Sequence, residues 1–241
     1  MKTDTENLQL RVPFLPRALS DPVNSVPHNE FYIFGYGSLI FKPPPFVEFS
    51  VGGFVEGYVR RFWQQSHDHR GTPDHPGRVV TLVERQVWQA GGLMLQDPHA
   101  EFELLQTGKT WGVAYKIIPE KVKQVSGILD LREQNGYSVH LVPFHPAAGG
   151  DGVVPAIVYI GTPDNFAFSP EPDLNKLAAL IAISKGPSGY NKDYLYNLAM
   201  ALKQLHESLP SDQIESNSQY LDYHIMDLVN RVKVAESNLI N

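Results

Sequence analysis

The chain has 241 residues, 42% of them hydrophobic and 19% charged, with a formal net charge of −6 and no cysteine. A chain of this size and composition buries enough apolar surface to fold without a staple. The missing thiols exclude a disulfide framework, a zinc–thiolate site and a cysteine nucleophile together. Lysines and arginines are scattered, with Arg60-Arg61 the only adjacent basic pair, so no clustered basic face for nucleic acid is expected. The apolar runs are far too short to cross a membrane. Asp4 and Glu6 stand early and no apolar leader core follows them, so no secretory signal is expected and the cytoplasm is the expected compartment.

In chain order, residues 1–29 hold prolines at 13, 16, 22 and 27 and show no apolar period. They read as a poorly ordered tail, with Leu10, Val12, Phe14 and Leu15 able to dock as a strap. The domain is expected over 30–236. Phe31-Tyr32-Ile33-Phe34 reads as a buried strand running into Gly35-Tyr36-Gly37-Ser38. Glycines there permit positive φ and close approach. Successive amides in such a turn suit a carboxylate or an oxyanion, and a plain strand-to-loop turn explains the same residues. Leu39-Ile40-Phe41 predicts one helical turn, ended by Pro43-Pro44-Pro45.

Val55–Ser66 reads as one long strand, with Tyr58, Phe62 and Trp63 as sheet core. A polar loop follows at 67–77, then a strand at 78–84. Residues 86–109 read as an insertion with a short helix. A strand covers 110–118, and Pro119 with Glu120 opens a helix that stops near Asn135-Gly136, Gly136 being the left-handed cap. Strands at 137–144 and 153–162 flank a glycine-rich loop. Helices are expected over about 175–184, 191–209 and 218–235. Strands first and helices gathered at the end argue an α+β fold with a mixed or closed sheet.

Glu133 is the carboxylate to single out. At the end of a helix it faces the negative pole of the dipole, which raises its pKa. That suits a general base; a solvated ion pair with Arg132 is the ordinary explanation. His67, Asp68, His69 and His75 read as a rim loop rather than a metal site, because His-x-His splits its rings between two faces. Arg70 in that loop is free to meet a carboxylate. Gly186-Pro187-Ser188-Gly189-Tyr190-Asn191 is either an anion-accepting helix start or simple capping by Ser188 or Asn191. No Gly-x-Ser-x-Gly elbow is present. Tyr137 and Tyr159 are strand tyrosines able to reach a pocket.

Taken together, Phe34-Gly-Tyr-Gly-Ser-Leu-Ile40, Arg60 to Pro73, Pro76 to Val83, Trp111 to Tyr115, Arg132-Glu-Gln-Asn-Gly-Tyr137, Tyr159 to Asn165 and Gly186 to Gly189 resemble the ChaC family of γ-glutamylcyclotransferases, in its glutathione-specific branch. The resemblance covers about residues 31–230. The tail and the stretches near 86–108 and 145–152 depart from the compact family pattern. The resemblance implies a small β-barrel flanked by helices and cleavage of glutathione to 5-oxoproline and cysteinylglycine, without cofactor or metal. It assigns the γ-glutamyl group to Gly35, Tyr36, Gly37, Ser38, Leu39 and Ile40, and the proton acceptor to Glu133. Tyr137 is expected beside them, with Arg70, Arg78 and Tyr159 as weaker candidates. Two alternatives stay open: the same chemistry on other γ-glutamyl amines or peptides, and a non-catalytic module that binds small acids.

Overall fold

A computed structural model describes residues 22–105, 108–132, 136–147, 152–209 and 222–240. Five strands close a barrel in the order β1-β5-β2-β6-β7: β1 (Tyr32–Gly35), β5 (Lys109–Ile117), β2 (Val47–Glu56), β6 (Ser138–Pro146) and β7 (Val154–Ile160). All neighbours are antiparallel except the closing pair, where β1 runs parallel to β7 with Ile33 opposite Ile157. The α+β barrel expected from the family resemblance is therefore present.

Strand alternation divides the apolar residues between the two faces of the barrel wall. Phe34, Ala114, Phe144, Ala156 and Val158 join one cluster. Ile33, Tyr115, Ile117, Ile157 and Tyr159 join another, packed against helix α5 (Val122–Arg132) through Val122, Val125 and Leu129. A separate hairpin, β3 (Tyr58–Ser66) with β4 (Gly77–Glu84), lies between the barrel cluster and the 85–105 stretch. Phe62, Val80 and Leu82 belong to the barrel cluster. Val59, Trp63 and Val83 meet Trp88 on the other side. A layer of α6 (Leu174–Ile183), α7 (Asn191–Glu207) and α8 (Tyr223–Ile240) packs on the barrel cluster through Leu177, Ile181, Leu195, Leu198, Leu228 and Val232.

Several expectations need correction. The single strand over 55–66 is two strands, parted at Gly57, whose φ of +82° turns the chain. β2 itself begins at Val47. Its Glu48, Ser50, Gly52 and Gly53 hide the strand period, because much of its length is solvent-facing. The 86–109 insertion holds two α-helices, α3 (Arg85–Ala90) and α4 (Ala100–Leu105), with a 3₁₀ turn between them. The fully buried Arg61 anchors it: Nε meets Asp97 Oδ2 at 2.7 Å and Nη1 meets Glu103 Oε1 at 3.1 Å. Of the stretch read as a tail, 22–29 is structured, with the short helix α1 (Pro22–Ser25) and a buried Val26; residues 1–21, with the strap leucines, lie outside the described residues. Among the described residues the last helix runs Tyr223–Ile240; its expected start at 218 lies outside them.

His224 of α8 is buried and accepts the Phe62 amide at Nε2 (3.0 Å). Burial, reinforced by Arg61, His99 and Arg60, holds its pKa well below the usual 6.5. The unfolded chain therefore binds a proton that the fold refuses. Stability is complete above about pH 6.5 and falls as the pH drops below it, by up to about 1.4 kcal/mol per unit for one such group. His140, also lowered by burial, adds in the same direction. Urea unfolding midpoints between pH 7.5 and 5.5 are expected to fall. His224→Gln, which keeps an acceptor for Phe62, is expected to flatten the slope.

Candidate active site

The end of β1 delivers Gly35-Tyr36-Gly37 into the one-turn helix α2 (Ser38–Phe41). Neither glycine adopts positive φ, so the expected backbone reason for them is replaced by a steric one. A Cβ on Gly35 would lie 2.7 Å from Leu39 Cβ, and one on Gly37 would lie 2.9 Å from both Tyr194 Oη and Val80 Cγ2. The turn is held from two sides. Tyr36 donates its buried hydroxyl to the Tyr159 carbonyl at 2.7 Å. Tyr115 donates to the Leu39 carbonyl at 2.7 Å; burial pushes its pKa up to about 12, so it stays a donor at neutral pH.

Beside this turn lies a two-part cavity. A small part of about 40 Å³ is lined by Tyr36, Gly37, Ser38 and Leu39, with Tyr137, Tyr159 and Tyr194 opposite. The Ile40 amide donates to the Gly37 carbonyl at 3.1 Å; the first-turn amides of Ser38 and Leu39 have no carbonyl partner within the helix, which leaves them available to an acceptor. A larger part of about 220 Å³ shares Ser38, Tyr137 and Tyr194 with the first. Lys42, His69, Arg70 and Arg132 add basic groups to its wall, and no described lining residue is a carboxylate. The cavity is thus positive overall and suited to an anion.

Arg70 is 6% exposed. Its Nη1 donates to the Tyr190 carbonyl at 2.9 Å, and its guanidinium lies 5.7 Å from the centre of the Tyr194 ring. Burial lowers its pKa from the usual arginine value, yet an arginine stays charged at neutral pH. His69 in the same loop sits with Nε2 3.3 Å from the Arg132 carbonyl.

Of the residues proposed from sequence, Tyr36, Gly37, Ser38, Leu39, Tyr137, Tyr159 and Arg70 line the cavity. Gly35 and Ile40, expected to hold the γ-glutamyl group, line neither part of the cavity. Arg78 lies away from the cavity lining; its Nη2 meets Ser169 Oγ at 3.1 Å, and both its backbone groups are clamped by Asn191 (2.6 and 2.7 Å). That clamp also replaces the expected capping role of Asn191. Tyr159 reaches away from the turn to donate to Asp130 Oδ1 at 2.9 Å, which fastens α5. Glu133 lies outside the described residues; Arg132 before it and Tyr137 after it both line the cavity. Sequence reasoning missed Tyr194, whose spacing on α7 reads as ordinary core, and Arg132, which it gave only as a partner for Glu133.

Replacing Tyr36 by Phe leaves the Tyr159 carbonyl without its buried donor. A loss of about 1–3 kcal/mol in urea unfolding free energy is expected, whereas Tyr159→Phe, which keeps that carbonyl, is expected to spare the turn.

A sequence profile of the ChaC-like protein family matches residues 31–235. The chain is 40% identical over 181 residues to a glutathione-specific γ-glutamylcyclotransferase of Schizosaccharomyces pombe, covering 74% of this chain and 86% of that protein. It is 39% identical over 203 residues to the protein of that name from Saccharomyces cerevisiae, covering 74% and 88%. A crystal structure of a glutathione-specific γ-glutamyl cyclotransferase from yeast superposes with a TM-score of 0.72 at 33% identity, over 86% of this chain and 97% of that one. With the barrel and its glycine turn in the same chain, these matches establish that the protein belongs to the ChaC-like family.

Proposed function

We propose that this protein is a γ-glutamylcyclotransferase that cleaves glutathione to 5-oxoproline and cysteinylglycine, with residues 30–236 as its catalytic domain. The observation that carries the reading is the positive cavity seated on the Gly37–Leu39 turn, with basic groups and tyrosines on its wall and no described carboxylate. A γ-glutamyl peptide brings carboxylates to such a wall. It also brings its own nucleophile. The α-amine attacks the γ-carbonyl carbon, a five-membered ring closes, and the amide bond to the cysteine nitrogen breaks. A reaction inside one molecule can reach effective molarities of about 10⁵ M or more when its ends are held together. The protein has to hold the folded-back conformer, move a proton and stabilise the oxyanion.

The Ser38 and Leu39 amides at the start of α2 serve the oxyanion or the α-carboxylate. Glu133 takes a proton from the α-ammonium, so that the amine lone pair is free to attack. The attacking nitrogen sheds a second proton as the lactam forms, and the departing cysteine nitrogen takes up two, one of them returned by Glu133, to leave as an ammonium, so no net proton is consumed. What supports Glu133 in this role is its place in the chain between two cavity residues, Arg132 and Tyr137.

Glu133→Gln is the test. General acid–base catalysis contributes about 10²–10⁴-fold. The variant is expected to keep its thermal midpoint and its calorimetric affinity for glutathione while 5-oxoproline formation, followed by mass spectrometry, drops at least about 100-fold. A Gln variant that turns over at the parent rate would remove Glu133 from the mechanism. Parent protein that forms no 5-oxoproline but is stabilised by glutathione would make the chain a binding module.

A further inference from the structure

The two parts of the cavity differ in chemistry, and the difference bears on which end of a substrate each receives. The small part is walled by the turn and by tyrosines, with no cation among its described residues. The larger part holds all the basic groups. Of these Arg70 alone is buried; Lys42 is exposed and Arg132 is half-buried. Its guanidinium has one hydrogen bond to protein among the described residues, from Nη1 to the Tyr190 carbonyl. No ion pair to a described carboxylate is formed. Asp193 acts on it through space without forming an ion pair, and a mostly buried cation so placed gains from an anion that completes its hydrogen bonding. The Tyr190 carbonyl and the Tyr194 ring fix its plane, which is the pre-organisation that bidentate carboxylate recognition needs.

Resting on the cyclotransferase reading, we propose that Arg70 binds the C-terminal carboxylate of the leaving dipeptide, and so makes this protein selective for γ-glutamyl peptides over γ-glutamyl amines. With the γ-glutamyl group against the α2 amides, the remainder of the substrate extends past Ser38, Tyr137 and Tyr194 into the larger part. The terminal carboxylate then arrives where the spare edge of Arg70 is presented. A substrate without that charge leaves the guanidinium desolvated and unpaired. The contact lies at the far end from the reacting carbonyl, so Arg70 is a specificity residue and takes no part in proton transfer.

The experiment compares glutathione with two probes altered only at glycine, the C-terminal carboxamide and the ethyl ester. 5-Oxoproline release is measured for the parent protein and for Arg70→Gln, Arg70→Lys and Lys42→Gln. The parent is expected to cleave both neutral probes with kcat/KM lower by about 10- to 100-fold, the range for a charge-assisted hydrogen-bonded pair. Arg70→Gln is expected to bring glutathione down to the level of the probes, and Arg70→Lys to restore part of the difference. A parent that cleaves all three alike overturns the inference and leaves the cyclotransferase reading intact. Equal losses on all three with Arg70→Gln would place Arg70 on the α-carboxylate of the γ-glutamyl group instead, and overturn it too. Discrimination that survives Arg70→Gln but vanishes in Lys42→Gln assigns the contact to Lys42. Absence of 5-oxoproline from every substrate removes both readings. Should Arg70→Gln fail to fold, the parent's discrimination between glutathione and its carboxamide still decides whether the carboxylate is read.

Discussion

Tyr159 is the residue on which the arrangement turns. Its carbonyl accepts the Tyr36 hydroxyl and its own hydroxyl donates to Asp130. One side chain and one peptide group on β7 thereby hold both the glycine turn after β1 and the helix α5 that runs toward the cavity. The parallel pairing of β1 with β7 makes this reachable. Closing the barrel there puts the end of β1 beside β7, so a contact 123 residues apart in sequence becomes a neighbour contact. Without that closure the turn would lose its Tyr159 anchor and keep Tyr115 and its packing against Tyr194 and Val80.

The second constraint is electrostatic. The molecule is acidic overall, yet its cavity collects Lys42, Arg70 and Arg132, and no described residue lining it is a carboxylate. Of the other buried arginines, Arg61 is matched by Asp97 and Glu103 and Arg60 by Asp222, while Arg78 forms no ion pair among the described residues and turns its Nη2 to Ser169, away from the cavity lining. What sets Arg70 apart from all three is its place on the cavity wall. Arg61 lies between β3 and the insertion and has its charge neutralised within the fold. Arg70 lies at an open cavity and keeps an edge for something else.

The strands of the α+β fold, the glycine turn and the helical final third were readable because their signals are local: apolar runs, a Gly-x-Gly turn, Pro119 opening a helix; the closure of the sheet into a barrel came only with the family resemblance. β2 was not, since a strand with much of its length in solvent carries Glu48, Ser50 and paired glycines like any loop. The insertion helices were hidden because they are held by Arg61 and Asp97, 36 residues apart, rather than by their own periodicity. At the site, Arg70 and Arg78 are equivalent on paper, eight residues apart around one polar loop. Only the hairpin between them, and the Asn191 clamp on one of them, decides which reaches the cavity. Tyr194 looked like core and is core as well, stacking edgewise on Phe41 and Phe62 while also walling the cavity.

That double duty of Tyr194 has a further meaning. The barrel, with the glycine turn and Tyr159, supplies only part of the wall of the binding chamber; Tyr194 comes from α7, encoded some 150 residues after the glycine turn, and completes it. The chamber therefore comes into being only when the C-terminal layer docks. A nascent or clipped chain with a closed barrel alone would be a vessel without its far wall. By the same token, whatever occupies the chamber grips both layers at once, so occupancy and the cohesion of the two halves rise and fall together.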